Sequence, residues 1–247
     1  MRQFVSLVGI VAFLLIGCSK ESDVPPAQSA TAAIQQDQTM PAPVEEKKSV
    51  EFVASRLLEI SRLYFAMLGK AQDEDLTFEE FRNKLHNIMT DSFIDQENLQ
   101  QFYTAGNGLT ELFLFHYDKG AFDARTAILE QNAERIKVKT MWFANELNSG
   151  YYEISTLVKS GDRWILDAKE SEPIPERGFE LTPEEATVYM KSSPYFDKPV
   201  ASIKFVGTKT LESSSVYGQF YEFNCDGTTY YISPVDGYIL GANMERF

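Results

Sequence analysis

Apolar residues follow different rhythms along this chain, and each rhythm predicts a different kind of structure. Phe4 to Ile16 is an almost unbroken apolar run, preceded by Arg2 and closed by Gly17-Cys18. From Ser19 to about Lys48 no rhythm exists: Pro, Ala, Gln and Ser dominate, and the few large aliphatics cannot bury enough to order the segment. A helical period begins at Val50, with Phe52, Val53, Leu57, Ile60, Leu63, Tyr64 and Met67 on one wide face. Thr77-Phe-Glu-Glu80 reads as a capping box with Leu76 placed to staple onto Phe81. It predicts a second helix whose inner face is Phe78, Phe81, Leu85, Ile88 and Met89. A shorter helix is expected over Gln96 to Tyr103, stopping at Gly106-Asn-Gly108.

From about Arg125 the period changes to two. Ile136, Val138, Thr140 and Trp142 alternate with Arg135, Lys137 and Lys139, Asn148-Ser-Gly150 signals a turn, and Tyr151 to Lys159 forms the next strand. Ser160-Gly161-Asp162 turns the chain into Arg163 to Lys169, so the strands are antiparallel hairpins. Past Pro173-Ile-Pro175 a smaller unit starts: Thr182-Pro183-Glu184-Glu185 opens a helix, with Thr as cap and Pro in the first turn. Strands follow over Ala201 to Gly207, Tyr217 to Cys225 and Thr228 to Ser233, with an Asp226-Gly227 hairpin turn, and Tyr238-Ile-Leu240 closes the meander. Helices followed by strands make an α+β chain, with N-terminal helices packed on an antiparallel sheet. The organisation expected is 1–17 export signal, 18–48 tether, 49–172 larger α+β domain, and 173–247 small α+β unit. At its length and without a disulfide, the last unit is marginal alone and should pack on the larger one.

The N-terminal run is too short for a transmembrane helix, which needs roughly 20 residues, and has the layout of a secretory signal. Leu15-Ile16-Gly17-Cys18 resembles the lipobox of bacterial lipoproteins. That resemblance implies cleavage between Gly17 and Cys18, diacylglycerol on the Cys18 thiol and an acyl chain such as palmitate on the freed amine. Two or three chains, at about 0.8 kcal/mol per buried CH₂, anchor a protein stably. Ser19 after the cysteine implies the outer membrane rather than the inner, with the folded part in the periplasm or at the cell surface. The tether, as a flexible coil of about thirty residues, reaches ~30 Å, and its prolines extend that.

The helix-first order, together with Tyr151-Tyr-Glu-Ile-Ser-Thr-Leu-Val-Lys159, Gly161-Asp-Arg-Trp164 and Ile165-Leu-Asp-Ala168, resembles the NTF2-like (cystatin-like cone) superfamily over roughly residues 50–172. The resemblance implies a curved sheet around a pocket; its members include enzymes, transport factors, secretion-system parts and immunity proteins, so it does not select a function. The C-terminal helix, strands and Asp236-Gly-Tyr-Ile-Leu-Gly241 are similar to the PepSY-like unit of exported proteins.

Charge and cysteine count narrow the chemistry. The formal charge is −13, and cleavage removes only Arg2 from the charged set, so phosphate backbones and anionic headgroups are repelled. Nucleic acid is a poor partner, and the bilayer is held through the lipid. With Cys18 acylated, Cys225 has no internal disulfide partner; alternation places it with Tyr221 and Phe223, as a small buried hydrophobe, with an intermolecular disulfide as the alternative. No P-loop, Gly-x-Ser-x-Gly, His-Glu-x-x-His or Gly-x-Gly-x-x-Gly is present, and one cysteine with two distant histidines makes a poor metal site.

Neither a cofactor nor a catalytic residue is therefore expected. His86 belongs to a polar helix face. His116 lies among Leu112-Phe-Leu-Phe115 and reads more simply as a core histidine than as a base. His116, Tyr152 and Asp167 are the candidates for a pocket, since enzymes of the resembled superfamily place such residues inside the cone. Asp167 is equally compatible with an outward position. The basic row of Arg135, Lys137 and Lys139 either meets an acidic partner or pairs with cross-strand carboxylates such as Glu153, the second being preferred.

The expected function is a membrane-anchored binding or scaffolding module that recognises an envelope protein. An immunity or inhibitor protein against a toxin or secreted enzyme is one alternative. A small-molecule enzyme or ligand carrier using a pocket with at least two converging polar side chains is the other. Mass spectrometry of the native protein should find Cys18 as the first residue, carrying two or three acyl chains, and Cys18→Ser should release the chain from membranes. An intact N-terminus or an unmodified thiol refutes the anchor.

Overall fold

The computed structural model describes residues 47–105, 117–145, 148–192, 200–212 and 217–242. Gly17, Cys18, most of the tether and His116 lie outside the described residues. The fold is α+β: helices, a four-stranded antiparallel sheet, then a helix and a second four-stranded sheet, both sheets open. Among the described residues no helix is long and apolar enough to cross a membrane.

α1 (Val50–Asp73) is capped by Ser49, whose side chain accepts from the Phe52 N–H, and buries the seam Val53, Leu57, Ile60, Tyr64 and Leu68. Phe52, expected on that seam, is 39% exposed. It stands one residue off the repeat and lies under the Lys48 ammonium, 5.4 Å from its ring centre. α2 (Phe78–Leu85) has both halves of its capping box, the Glu80 N–H donating to Thr77 Oγ1 and the Thr77 N–H to Glu80 Oε2. Ile88 and Met89 fall just past its end and stay in the core. Two short helices follow, α3 (Asp91–Gln96), which is not expected from the sequence, and α4 (Leu99–Ala105), which covers most of the helix expected over Gln96 to Tyr103. Thr90 caps the first, and Asn98 at φ 50° breaks the second from it. A short α5 (Lys119–Ala124) leads into the sheet.

The first sheet runs in the order β1 (Thr126–Gln131), β2 (Arg135–Trp142), β3 (Tyr151–Ser160) and β4 (Arg163–Pro173). Ile136, Val138, Leu157, Trp164 and Leu166 on one face share a core with α1, α2 and α3. In the β3–β4 ladder Leu157 stands opposite Leu166 and Thr156 opposite Ala168, so Asp167 is an unpaired bulge residue. One extra residue reverses the facing of every side chain beyond it. Lys169 therefore turns toward the helices, and Glu170 and Glu172 toward the far face, where they pair with Lys137 and Lys139.

Lys137 and Lys139 of the basic row thus have carboxylate partners, but Glu153, named for that role from the sequence, is not one of them. The register sets Glu153 opposite Thr140, on the helix-facing side, where it is buried. Similar bulges in β1 and β5 leave Leu129 and Val206 without a strand partner, and both are exposed.

The C-terminal part contains α6 (Pro183–Ser192) and a sheet ordered β5 (Ile203–Glu212), β6 (Tyr217–Cys225), β7 (Thr228–Ile232) and β8 (Ile239–Leu240). Its apolar residues Phe179, Leu181, Tyr189, Phe223, Ile232 and Ile239 form one core with Met141 and Phe143 from the end of the first sheet. Gly237, at φ 75°, passes so close to Phe143 that a Cβ would lie 2.0 Å from the ring. Arg125 makes a forked ion pair with Glu185, Nε to Oε1 at 2.7 Å and Nη2 to Oε2 at 2.6 Å, and donates to the Phe179 carbonyl. Cys225 is buried in this core, and that burial pushes its thiol up to about 11.

The bulge at Asp167 has a testable consequence. Deleting Asp167 would keep Ala168 opposite Thr156 and Lys169 opposite Ser155, but inserting one alanine after Ala168 turns Lys169 outward and brings Glu170 opposite the buried Glu153. The insertion variant should lose cooperative unfolding in calorimetry. Asp167→Ala keeps the residue count and should cost only about 1 kcal/mol, one hydrogen bond. Equal stability of the insertion variant and the wild type would show that the residue count along β4 does not set its facing.

Candidate functional site

Two concentrations of polar side chains stand out, and neither is the trio nominated from the sequence. Tyr152 lies on the far face of the first sheet, edge-on to Phe179 at 5.1 Å between ring centres, with the Lys139 ammonium 4.2 Å from its own ring centre. Its hydroxyl is 3.4 Å from Arg125 Nη1. Asp167 is half-buried in the β4 bulge and accepts from Thr90 Oγ1 at 3.0 Å. Tyr152 pairs with Glu172, well along the strand from that bulge, so the structure does not bring Tyr152 and Asp167 together. His86 is exposed, as expected, with Nε2 2.8 Å from Asp91 Oδ1.

The first concentration lies on the helix-facing side of the first sheet. Beyond the bulge the register aligns Val138, Ser155 and Lys169 across three strands, and Thr140, Glu153 and Ser171 on the next rung of that face. Lys169 Nζ meets Glu153 Oε2 at 2.8 Å, and these side chains are only 9% and 3% exposed. Ser155 donates to Glu153 Oε1 at 3.2 Å, and the Tyr117 hydroxyl is 3.4 Å from Ser155 Oγ. Lys169 Nζ also stands 4.8 Å from the centre of the Tyr117 ring. Burial first, and then the negative charge of Glu153, holds the Tyr117 hydroxyl well above its ordinary range. Glu97 feels the same surroundings: burial raises its carboxyl, Lys169 draws it down and Glu153 pushes it up. Tyr151, stacked on Trp142 with ring centres 5.4 Å apart, is likewise raised by burial. Chemically this is a neutralised pair in which one cation answers one carboxylate and the hydroxyls serve the carboxylate.

The second concentration faces outward, where three turns and strand ends meet. Asn145 and Asn148 come from the connection after β2, Tyr217 to Phe220 from the start of β6, and Ser233 to Tyr238 from the β7–β8 turn. They line a groove of about 410 Å³. Backbone hydrogen bonds fix its walls. The Ala144 N–H donates to the Asp236 carbonyl at 2.8 Å, joining the end of the first sheet to the β7–β8 turn. The Gly150 N–H donates to Asn148 Oδ1 at 2.8 Å, and the Tyr238 N–H to Asp236 Oδ1 at 3.2 Å. Tyr217 stands at its rim, 83% exposed. A wider recess of about 500 Å³ near the start of α1 is lined by Lys47, Lys48, Lys159 and Asp162 around Phe52 and Trp164.

Among the described residues no three His, Cys, Asp or Glu side chains gather as metal ligands would. No protein-family model, curated protein or solved structure matches this chain. Function is therefore argued from the two sites themselves.

If the Glu153–Lys169 pair is structural, its members are worth more together than apart. Lys169→Met should cost about 3 kcal/mol in urea unfolding, by leaving a buried carboxylate unanswered, whereas Glu153→Gln with Lys169→Met should regain most of it. Simple addition of the two single losses would contradict the coupling.

Proposed function

We propose that this chain is a bacterial envelope lipoprotein, acylated at Cys18, that acts as a non-enzymatic binding module and meets its partner through the groove beside Tyr217. The supporting observation is the contrast between its two polar sites. At Glu153 and Lys169 the polar atoms answer one another inside the fold. In the groove, backbone N–H groups occupy one oxygen of Asn148 and one of Asp236, orienting both residues while leaving their other polar atom unused among the described residues. Groups oriented in advance by their own backbone bind at a lower entropic cost. The tether and acyl chains supply attachment and reach, and the acidic charge directs the module away from nucleic acid and anionic headgroups. The partner is accordingly a component of the envelope.

A second reading, a ligand carrier or small-molecule enzyme working on the helix-facing side of the first sheet, is favoured by the convergence there of Glu153, Lys169, Tyr117 and Glu97. A ligand-induced rise in melting temperature that disappears in Glu153→Gln would favour it over the groove.

The binding role is tested in living cells with a photo-crosslinking residue placed at Tyr217, and, as a control, at the exposed Leu129 of the β1 bulge. Position 217 should yield a discrete adduct absent from position 129. No adduct, or the same adducts from both positions, argues against the groove as the contact surface.

A further inference from the structure

We infer that the groove beside Tyr217 accepts an uncharged oligosaccharide, a deepening that rests on the binding role proposed above. A sugar ring offers an apolar C–H face and a rim of hydroxyls, each able to donate and accept. A site for it needs an aromatic platform and fixed donors and acceptors at the platform's edge. Tyr217 supplies the platform, its ring presented to solvent at the groove rim.

The edge chemistry is set by the backbone. Asn148 Oδ1 is engaged by the Gly150 N–H, so its Nδ2 remains as a donor. Asp236 Oδ1 is engaged by the Tyr238 N–H, so its Oδ2 remains as an acceptor. A held donor and a held acceptor together read neighbouring hydroxyls, and Gln219 adds one of each on a single side chain. Gly218 lies between Tyr217 and Gln219 with φ 146°, and a Cβ there would meet nothing closer than 3.8 Å. The backbone conformation, not crowding, calls for glycine, and the bare main chain lets a ligand approach closely.

Exclusion completes the assignment. Among the described residues the lining includes no Lys or Arg, so a phosphorylated or otherwise anionic ligand finds no countercharge there, in a chain of formal charge −13. The volume of about 410 Å³ falls within the roughly 300–1,000 Å³ of small-ligand sites and suits a short glycan segment. A peptide strand is the competing occupant, since the β6–β7 ladder begins only at Tyr221 and leaves the second edge of residues 217–220 outside that ladder. The side-chain set among the described residues, neutral amides and the Asp236 carboxylate beside a flat ring, favours the sugar.

The test uses the mature lipidated chain in a zwitterionic detergent without a sugar headgroup. It is titrated with N-acetylglucosamine trimer, maltotriose and cellotriose and followed by saturation-transfer NMR and tyrosine fluorescence. At least one probe should bind saturably with Kd about 1 mM or tighter. Tyr217→Ala should weaken it about tenfold by removing the platform. Asp236→Asn should do the same while keeping Oδ1 for the Tyr238 N–H, by replacing the acceptor with a donor. Lys137→Ala, on the far side of the first sheet, should bind as wild type, and unchanged melting temperatures will separate lost contact from lost fold. Absence of saturable binding to all three probes, or variants that bind like the wild type, overturns the inference. If position 217 then still crosslinks a polypeptide, the sugar assignment alone falls; if it crosslinks nothing, the binding role falls with it.

Discussion

The single unpaired residue in β4 decides where the charges of the first sheet go. With Asp167 bulged out, Lys169 faces the helices and completes Glu153, while Glu170 and Glu172 face outward and complete Lys137 and Lys139. Were Asp167 paired in regular alternation instead, the same strand would offer glutamates to the interior and a lysine to an already basic row. Burying an unanswered carboxylate costs several kcal/mol, so the arrangement is selected by charge as much as by packing. The bulge is held from the helical side: Thr90 donates its N–H to the Leu166 carbonyl at 2.9 Å and its hydroxyl to Asp167, and the Leu166 N–H donates to the Ile88 carbonyl at 2.8 Å. The turn between α2 and α3 and the fourth strand thus fix one another.

The same economy joins the C-terminal part to the first sheet. A unit of that size buries too small a fraction of its surface to be robust alone, and its core borrows Met141 and Phe143. Phe143 is held between Phe179 and Tyr189, at 5.6 and 4.0 Å between ring centres, with Gly237 against its face. Arg125 binds Glu185, which also serves as the capping partner of Thr182. One carboxylate therefore closes a helix start and ties that helix to the first sheet. The hydrogen bonds to Arg125 hold Glu185 below its ordinary carboxylate range, so the stability it contributes is present above that range and declines as pH falls through the lowered value. The groove depends on this joint, because its walls come from both sides of it.

Local signals were legible in the sequence wherever a few adjacent residues decide the structure. Thr77 and Thr182 begin helices because their own hydroxyls and the glutamates three residues on complete the cap. Gly161, at φ 60°, and Asp226-Gly227, at φ 52° and 90°, turn hairpins because few other residues accept those angles. The α+β order follows from these. The bulge was not legible, since Ile165-Leu-Asp-Ala-Lys169 carries no mark of it and its anchor, Thr90, is remote in sequence. Counting on from the Gly161 turn without it puts Lys169 on the wrong face and hides its pairing with Glu153. Nor does alternation help in β3, which is buried on both faces from Glu153 to Leu157. Of the nominated residues, Asp167 emerges as the bulge itself and Tyr152 as part of the joint. Asn148 was visible only as a turn former and Asp236 only as part of the closing Asp236-Gly-Tyr stretch, because nothing local says that the two converge.

That convergence is also why the two polar sites differ in kind. The Glu153–Lys169 site is assembled by strand register, where neighbouring rungs are only a few ångströms apart and oppositely charged side chains satisfy each other at once. The groove is assembled from turns, where Asn and Asp are present to accept backbone N–H groups, and each such residue has a second polar atom that the turn does not consume. Register therefore favours closure, while clustered turns accumulate leftover donors and acceptors at the surface. The proposed binding role has use for the second kind of site. Every oriented group that the fold does not spend on itself is available to a partner of the kind proposed for this module.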